Sequence, residues 1–196
     1  MKGCSAFFVY SFYVFGILIY LVSAPIFLCA STIVFALLHE LGHLLCAKAL
    51  GRRISVLCFS PTGLYPSVGT GDALSSAVIY ASGPMVNIMS SIVLYLLDSA
   101  HPSDMLSELF YINAALALFN LLPIPFSDGS GLLRCFLWRF LKVRRAESAC
   151  RIIELLFSSV IFMLFSYRFF IAPGGFFSFF LSIVFVLAAI SNVFKE

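Results

Sequence analysis

Residues 26–50 read IFLCASTIVFALLHELGHLLCAKAL, and Gly51, Arg52 and Arg53 close the run. A helix needs about 20 apolar residues to cross the hydrocarbon core of a bilayer, and this stretch meets that length. It nevertheless holds His39, Glu40 and His43. Ionisable side chains are costly in hydrocarbon, so their presence there marks a functional site. Residues four apart share one helix face, so both imidazoles can reach one ion. Two histidines and a carboxylate, with the fourth position left to water, are the donors of a catalytic zinc (Zn2+) site. Glu40 stands beside His39 in the chain, placed to take a proton from that water.

Outward from this span, the rest of the chain is just as apolar. Of 196 residues, 62% are hydrophobic and 11% charged, where a water-soluble domain carries roughly 25% charged residues. The pattern predicts an all-α polytopic membrane protein in one domain over residues 1–196, with six transmembrane helices near residues 6–22, 26–50, 73–97, 105–122, 152–167 and 176–194. Residues 54–68, ISVLCFSPTGLYPSV, break the helical pattern with β-branched and aromatic residues around Pro-Thr-Gly, which predicts a short membrane-associated β-hairpin. Residues 120–131, NLLPIPFSDGSG, cannot continue a regular helix. Residues 132–145 are basic and amphipathic, suited to the membrane interface, with Trp138 as an anchor. The six cysteines are scattered with no CxxC pair, which argues against a disulfide framework or a cysteine zinc site and leaves them as small buried hydrophobes.

Basic residues sit mainly on the cytoplasmic side of membrane proteins. With the N-terminus inside, eleven of the twelve Lys and Arg residues fall on inner segments and only Arg168 falls outside. The reading is therefore an integral membrane protein with both termini cytoplasmic, and its small size favours a prokaryotic plasma membrane. The basic stretch from Arg134 to Arg151 is spent on lipid headgroups, which leaves no nucleic-acid site.

The same topology prunes the acids for a third metal ligand. Asp98, Asp104 and Glu108 fall at the outer face, whereas the histidine pair lies past the midpoint of its span, nearer the cytoplasm. Asp128, in the Pro- and Gly-broken segment after the fourth span, has the right depth. Asp72 and Glu154 remain as weaker candidates.

HELGH in a membrane span, then SGPMVN at Ser82 to Asn87, then NLLPIPFSDG at Asn120 to Gly129 resembles the site-2 protease family of intramembrane zinc metalloproteases. The order and spacing of these elements carry the resemblance over a core of about residues 26–134. The family's usual Leu-Asp-Gly-Gly or Asn-Pro-Asp-Gly is replaced here by Phe126-Ser127-Asp128-Gly129-Ser130-Gly131. The resemblance implies that His39, His43 and Asp128 bind zinc and that Glu40 is the general base. It implies that Asn87 and Asn120 lie near the site and position substrate or stabilise the oxyanion. It also implies a three-helix catalytic core from the second, third and fourth spans, with the hairpin touching substrate. The chain is similar to the compact six-span subgroup, which includes a sporulation protease that processes a sigma-factor precursor.

The expected activity is hydrolysis of a peptide bond in or near a transmembrane segment of another protein, within the lipid bilayer and open to control by a regulatory membrane partner. Two other classes compete: an inert pseudoprotease that only holds membrane helices, and a metal transporter. The complete set of His39, Glu40, His43 and Asp128 argues against the first. A transporter needs polar groups along a path through the bilayer, whereas here they cluster at one depth.

Overall fold

The computed structural model describes residues 25–52, 58–60, 63–65, 73–171 and 176–193; the expected first span, residues 6–22, lies outside them. The described chain forms six helices and a small ladder: α1 (Ile26–Ala49), β1 (Cys58–Ser60), β2 (Gly63–Tyr65), α2 (Ala73–Ala100), α3 (Asp104–Leu121), α4 (Asp128–Trp138), α5 (Val143–Ile171) and α6 (Phe176–Val193). The two strands pair antiparallel, with Cys58 opposite Tyr65 and Ser60 opposite Gly63.

Helices α1, α2 and α5 are each long and apolar enough to cross a membrane. Their outward faces carry large apolar side chains, among them Leu37, Leu96, Met163 and Phe170, all more than half exposed. Exposed apolar surface on this scale belongs against lipid, which makes this an integral membrane protein. The interior is built from small residues, with Ala117, Ala146, Cys150, Ala188 and Ala189 at 5% exposure or less. Lipid gives no hydrophobic drive to bring helices together, so close backbone approach through small side chains has to supply the packing. Burial pushes the Cys135 thiol above its usual pKa, in keeping with a neutral packing residue.

Helix α2 is the hub. It packs against α1, α3 and α4, while α4 joins it to the α5–α6 pair. The α2–α3 turn is tied by Asp98, whose carboxylate accepts from Ser103 N at 2.9 Å and from Ser107 Oγ at 2.7 Å.

The segment from residue 128 to 152 departs from the sequence expectation. The basic stretch is divided, because α4 ends at Trp138 and α5 begins at Val143, so Arg144, Arg145 and Arg151 extend the fifth span rather than precede it. Helix α4 also starts earlier than its amphipathic pattern does, at Asp128, and includes Gly129 and Gly131. Glycine costs roughly 1 kcal/mol in a helix. Here tertiary contact overrides that propensity. The Gly129 backbone presses so closely on the Leu121 and Leu122 carbonyls that a Cβ would overlap both.

Candidate metal centre

The buried face of α1 presents His39 and His43, at 5% and 6% exposure, while Leu37, Leu38, Leu41 and Leu45 turn outward. Helix α2 lies across this face. A Cβ on Gly83 would overlap His43 Nε2 and would stand 2.6 Å from both His39 Nε2 and His43 Cε1, so only glycine fits.

The third group arrives by a different route. After Leu122 the chain turns through two prolines, Pro123 and Pro125, and Phe126 takes a left-handed backbone (φ 72°). That conformation costs a non-glycine residue about 1–2 kcal/mol. Strain of this kind persists where the surrounding structure enforces it, and it clusters at functional sites. Ser127 then caps α4. Its Oγ accepts from Ser130 N at 3.2 Å and shares its proton between the Leu122 and Ile124 carbonyls. The cap places Asp128 at the first position of α4 and points it back towards α1.

Three ligand atoms converge. Asp128 Oδ2 lies 2.9 Å from His39 Nε2 and 3.3 Å from His43 Nε2, and the two Nε2 atoms are 3.2 Å apart. Donors bound tetrahedrally at roughly 2.0–2.1 Å stand about 3.3–3.4 Å from one another. The triangle is thus slightly tighter than a closed coordination shell and has the right chemistry for a divalent ion. His39, His43 and Asp128 could hold one together.

The His43 ring orientation fits as well. The His43 Nδ1–H donates to the Ile79 carbonyl at 2.7 Å, which leaves Nε2 with its lone pair towards the triangle. Ser82 Oγ also donates to that carbonyl, at 2.6 Å. The His39 ring meets Asn87, with 3.2 Å between Nδ1 and the side-chain amide Nδ2. Such outer partners fix which nitrogen a ligating histidine offers.

The remaining candidates fall as follows. Glu40 is half-buried on α1, between the two histidines in sequence. Asn120 is half-buried near the end of α3 and donates to the Leu116 carbonyl at 3.0 Å, within its own helix. Asp72 lies outside the described residues. Glu154 is fully buried but belongs to a different cluster: it accepts from Arg134 Nη2 at 2.6 Å and from Ser130 Oγ. Of the two of these acids that are described, Asp128 and Glu154, Asp128 is the one that stands beside the histidine pair.

Sequence reasoning missed the clamp from Ile79, the space requirement at Gly83, and the Arg134–Glu154 pair. A backbone carbonyl has no sequence signature. The pair did have one, a lone acid inside an apolar span with a basic residue upstream. Elsewhere, α2 and α3 flank an apolar groove of about 570 Å³, lined by residues such as Ile92, Tyr95 and Phe110 and by neither histidine.

No protein-family description and no curated protein matches this sequence. Among solved structures the fold is similar to that of the Site-2 Protease from Methanocaldococcus jannaschii, with a TM-score of 0.69 and 22% identity over 96% of this chain and 88% of that one. At that identity the likeness establishes a shared fold.

Proposed function

We propose that this protein is an intramembrane zinc metalloprotease of the site-2 protease family, in its compact six-span subgroup, cleaving a peptide bond in or near a transmembrane segment of another membrane protein. The convergence of His39, His43 and Asp128 at 2.9–3.3 Å, in a chain with the fold of a site-2 protease, carries this reading. Zinc bound there would polarise the scissile carbonyl and lower the pKa of its water to roughly 7. His39, His43 and Asp128 would hold it, since Nε2 of each ring and Oδ2 of the carboxylate face one another there. Glu40 takes the proton from the attacking water and passes it to the leaving amine. The Asn120 Nδ2 group has two N–H bonds and commits one to Leu116 among the described residues, which leaves the other to donate to the developing oxyanion.

A helical substrate hides its carbonyls in internal hydrogen bonds, so it must unwind before cleavage. The β1–β2 ladder offers an edge on which an extended segment can pair, which fixes the substrate backbone without regard to its side chains. The charge distribution favours termini in the cytoplasm, and water then reaches the site from that side, to which the histidine pair lies nearer.

The test is Glu40→Gln, assayed on a co-expressed single-span substrate. General-base catalysis supplies about 10²–10⁴-fold in rate, so cleavage should fall by at least about 100-fold while metal content stays at the wild-type level. Undiminished cleavage would remove Glu40 from the mechanism. A cleavage-free wild type that retains zinc would favour the pseudoprotease.

A further inference from the structure

We infer that Asn87 is a positioning residue that sets the tautomer of His39, as the Ile79 carbonyl does for His43. The inference rests on the metal-site reading above and extends it to a residue whose expected role was with substrate.

The argument starts from the face of α2. Ile79, Gly83 and Asn87 are spaced four residues apart, so they form one stripe along the helix. Ile79 meets His43 Nδ1, Gly83 makes room for both Nε2 atoms, and Asn87 meets His39 Nδ1. Asn87 is 1% exposed, and its Oδ1 has no hydrogen-bond partner among the described residues. A buried amide with one end unpaired is costly unless the other end does something that repays it.

His39 Nδ1 and Nε2 cannot both carry a proton in the neutral ring. With Asn87 Nδ2 donating to Nδ1, the ring proton sits on Nε2 and is donated to Asp128 Oδ2, 2.9 Å away. That is one self-consistent tautomer of the ring. A metal needs the Nε2 lone pair, so the proton must move to Nδ1, where it requires an acceptor. A half-turn of the Asn87 amide exchanges Nδ2 for Oδ1 at the same place and supplies that acceptor with no change of shape. An amide is therefore suited to both states of the site. A carboxylate suits only the metal-bound one, and an apolar side chain suits neither. A substrate or oxyanion role needs an Asn87 N–H that substrate can reach, whereas Asn87 is 1% exposed and lies against His39 Nδ1.

The experiment measures zinc affinity by chelator competition on the full-length protein in detergent, for wild type, Asp128→Ala, Asn87→Leu and Asn87→Asp. The thermal midpoint of each metal-free form serves as the folding control. Removing a partner of this kind typically weakens metal binding 10–100-fold. The expected result is a loss of that size in Asn87→Leu, with Asn87→Asp within a few-fold of wild type because its carboxylate still accepts from Nδ1–H. Wild-type affinity in a folded Asn87→Leu overturns the inference. So does a loss in Asn87→Asp as large as that in Asp128→Ala. Should Asn87→Leu not fold, the Asn87→Asp comparison decides alone. A wild type that binds no zinc overturns the metal-site reading itself, and that failure is distinguishable because it leaves all four proteins alike.

Discussion

A methyl group at position 83 would occupy the space where the two Nε2 atoms meet. Gly83→Ala is therefore expected to push the imidazoles apart and abolish stoichiometric zinc binding, a loss of at least about 100-fold in affinity, comparable with removing a ligand's outer partner or more. Zinc content per mole of purified protein checks it, with the metal-free thermal midpoint showing whether α1 and α2 still pack. Zinc bound at wild-type stoichiometry would mean that Gly83 is dispensable. The residue scale is also where sequence was most informative. His39 and His43 declare themselves by spacing within an apolar span, and Asp128 by depth and motif context. Gly83, by contrast, reads as a packing residue, because the atoms it must avoid come from another helix and no local pattern records them.

At the scale of the element, α4 makes the site possible. It is 11 residues long, carries Asp128 at its first position, and is braced near its middle by Arg134, which reaches both Glu147 (3.4 Å) and Glu154 (2.6 Å) on α5. Glu154 also receives Ser130 Oγ, two residues beyond Asp128, and Asn192 Nδ2 from α6 at 3.5 Å. Breaking a buried pair by removing one partner costs about 3–5 kcal/mol because the other charge is stranded. Arg134 keeps 23% of its side chain exposed, so the lower end applies. Glu154→Leu should destabilise the protein by about 3 kcal/mol, read as a fall in thermal midpoint, and adding Arg134→Met should recover much of the loss. Strictly additive losses in the double mutant would show that the pair is not coupled. This element was only half legible. The apolar-basic pattern of residues 132–145 announced an amphipathic helix, but its true start at Asp128 was concealed by glycines whose helical conformation is enforced from outside.

For the whole molecule, the apolar runs largely fixed the bounds of α1, α2, α3 and α6, because length and hydropathy are local properties of the chain. How those helices pack is not local. The placing of α2 as the hub, and of α4 as its link to α5 and α6, depends on contacts between stretches far apart in sequence. The centre itself is the clearest case, because His39 and Asp128 are 89 residues apart and meet at 2.9 Å. X-ray absorption spectroscopy at the zinc edge, on the purified zinc-loaded protein, tests that meeting most directly. The account predicts nitrogen and oxygen neighbours at about 2.0–2.1 Å with the outer-shell scattering of two imidazoles, lost in Asp128→Ala. Sulfur neighbours at about 2.3 Å, or an unchanged spectrum in Asp128→Ala, would place the metal elsewhere and contradict it.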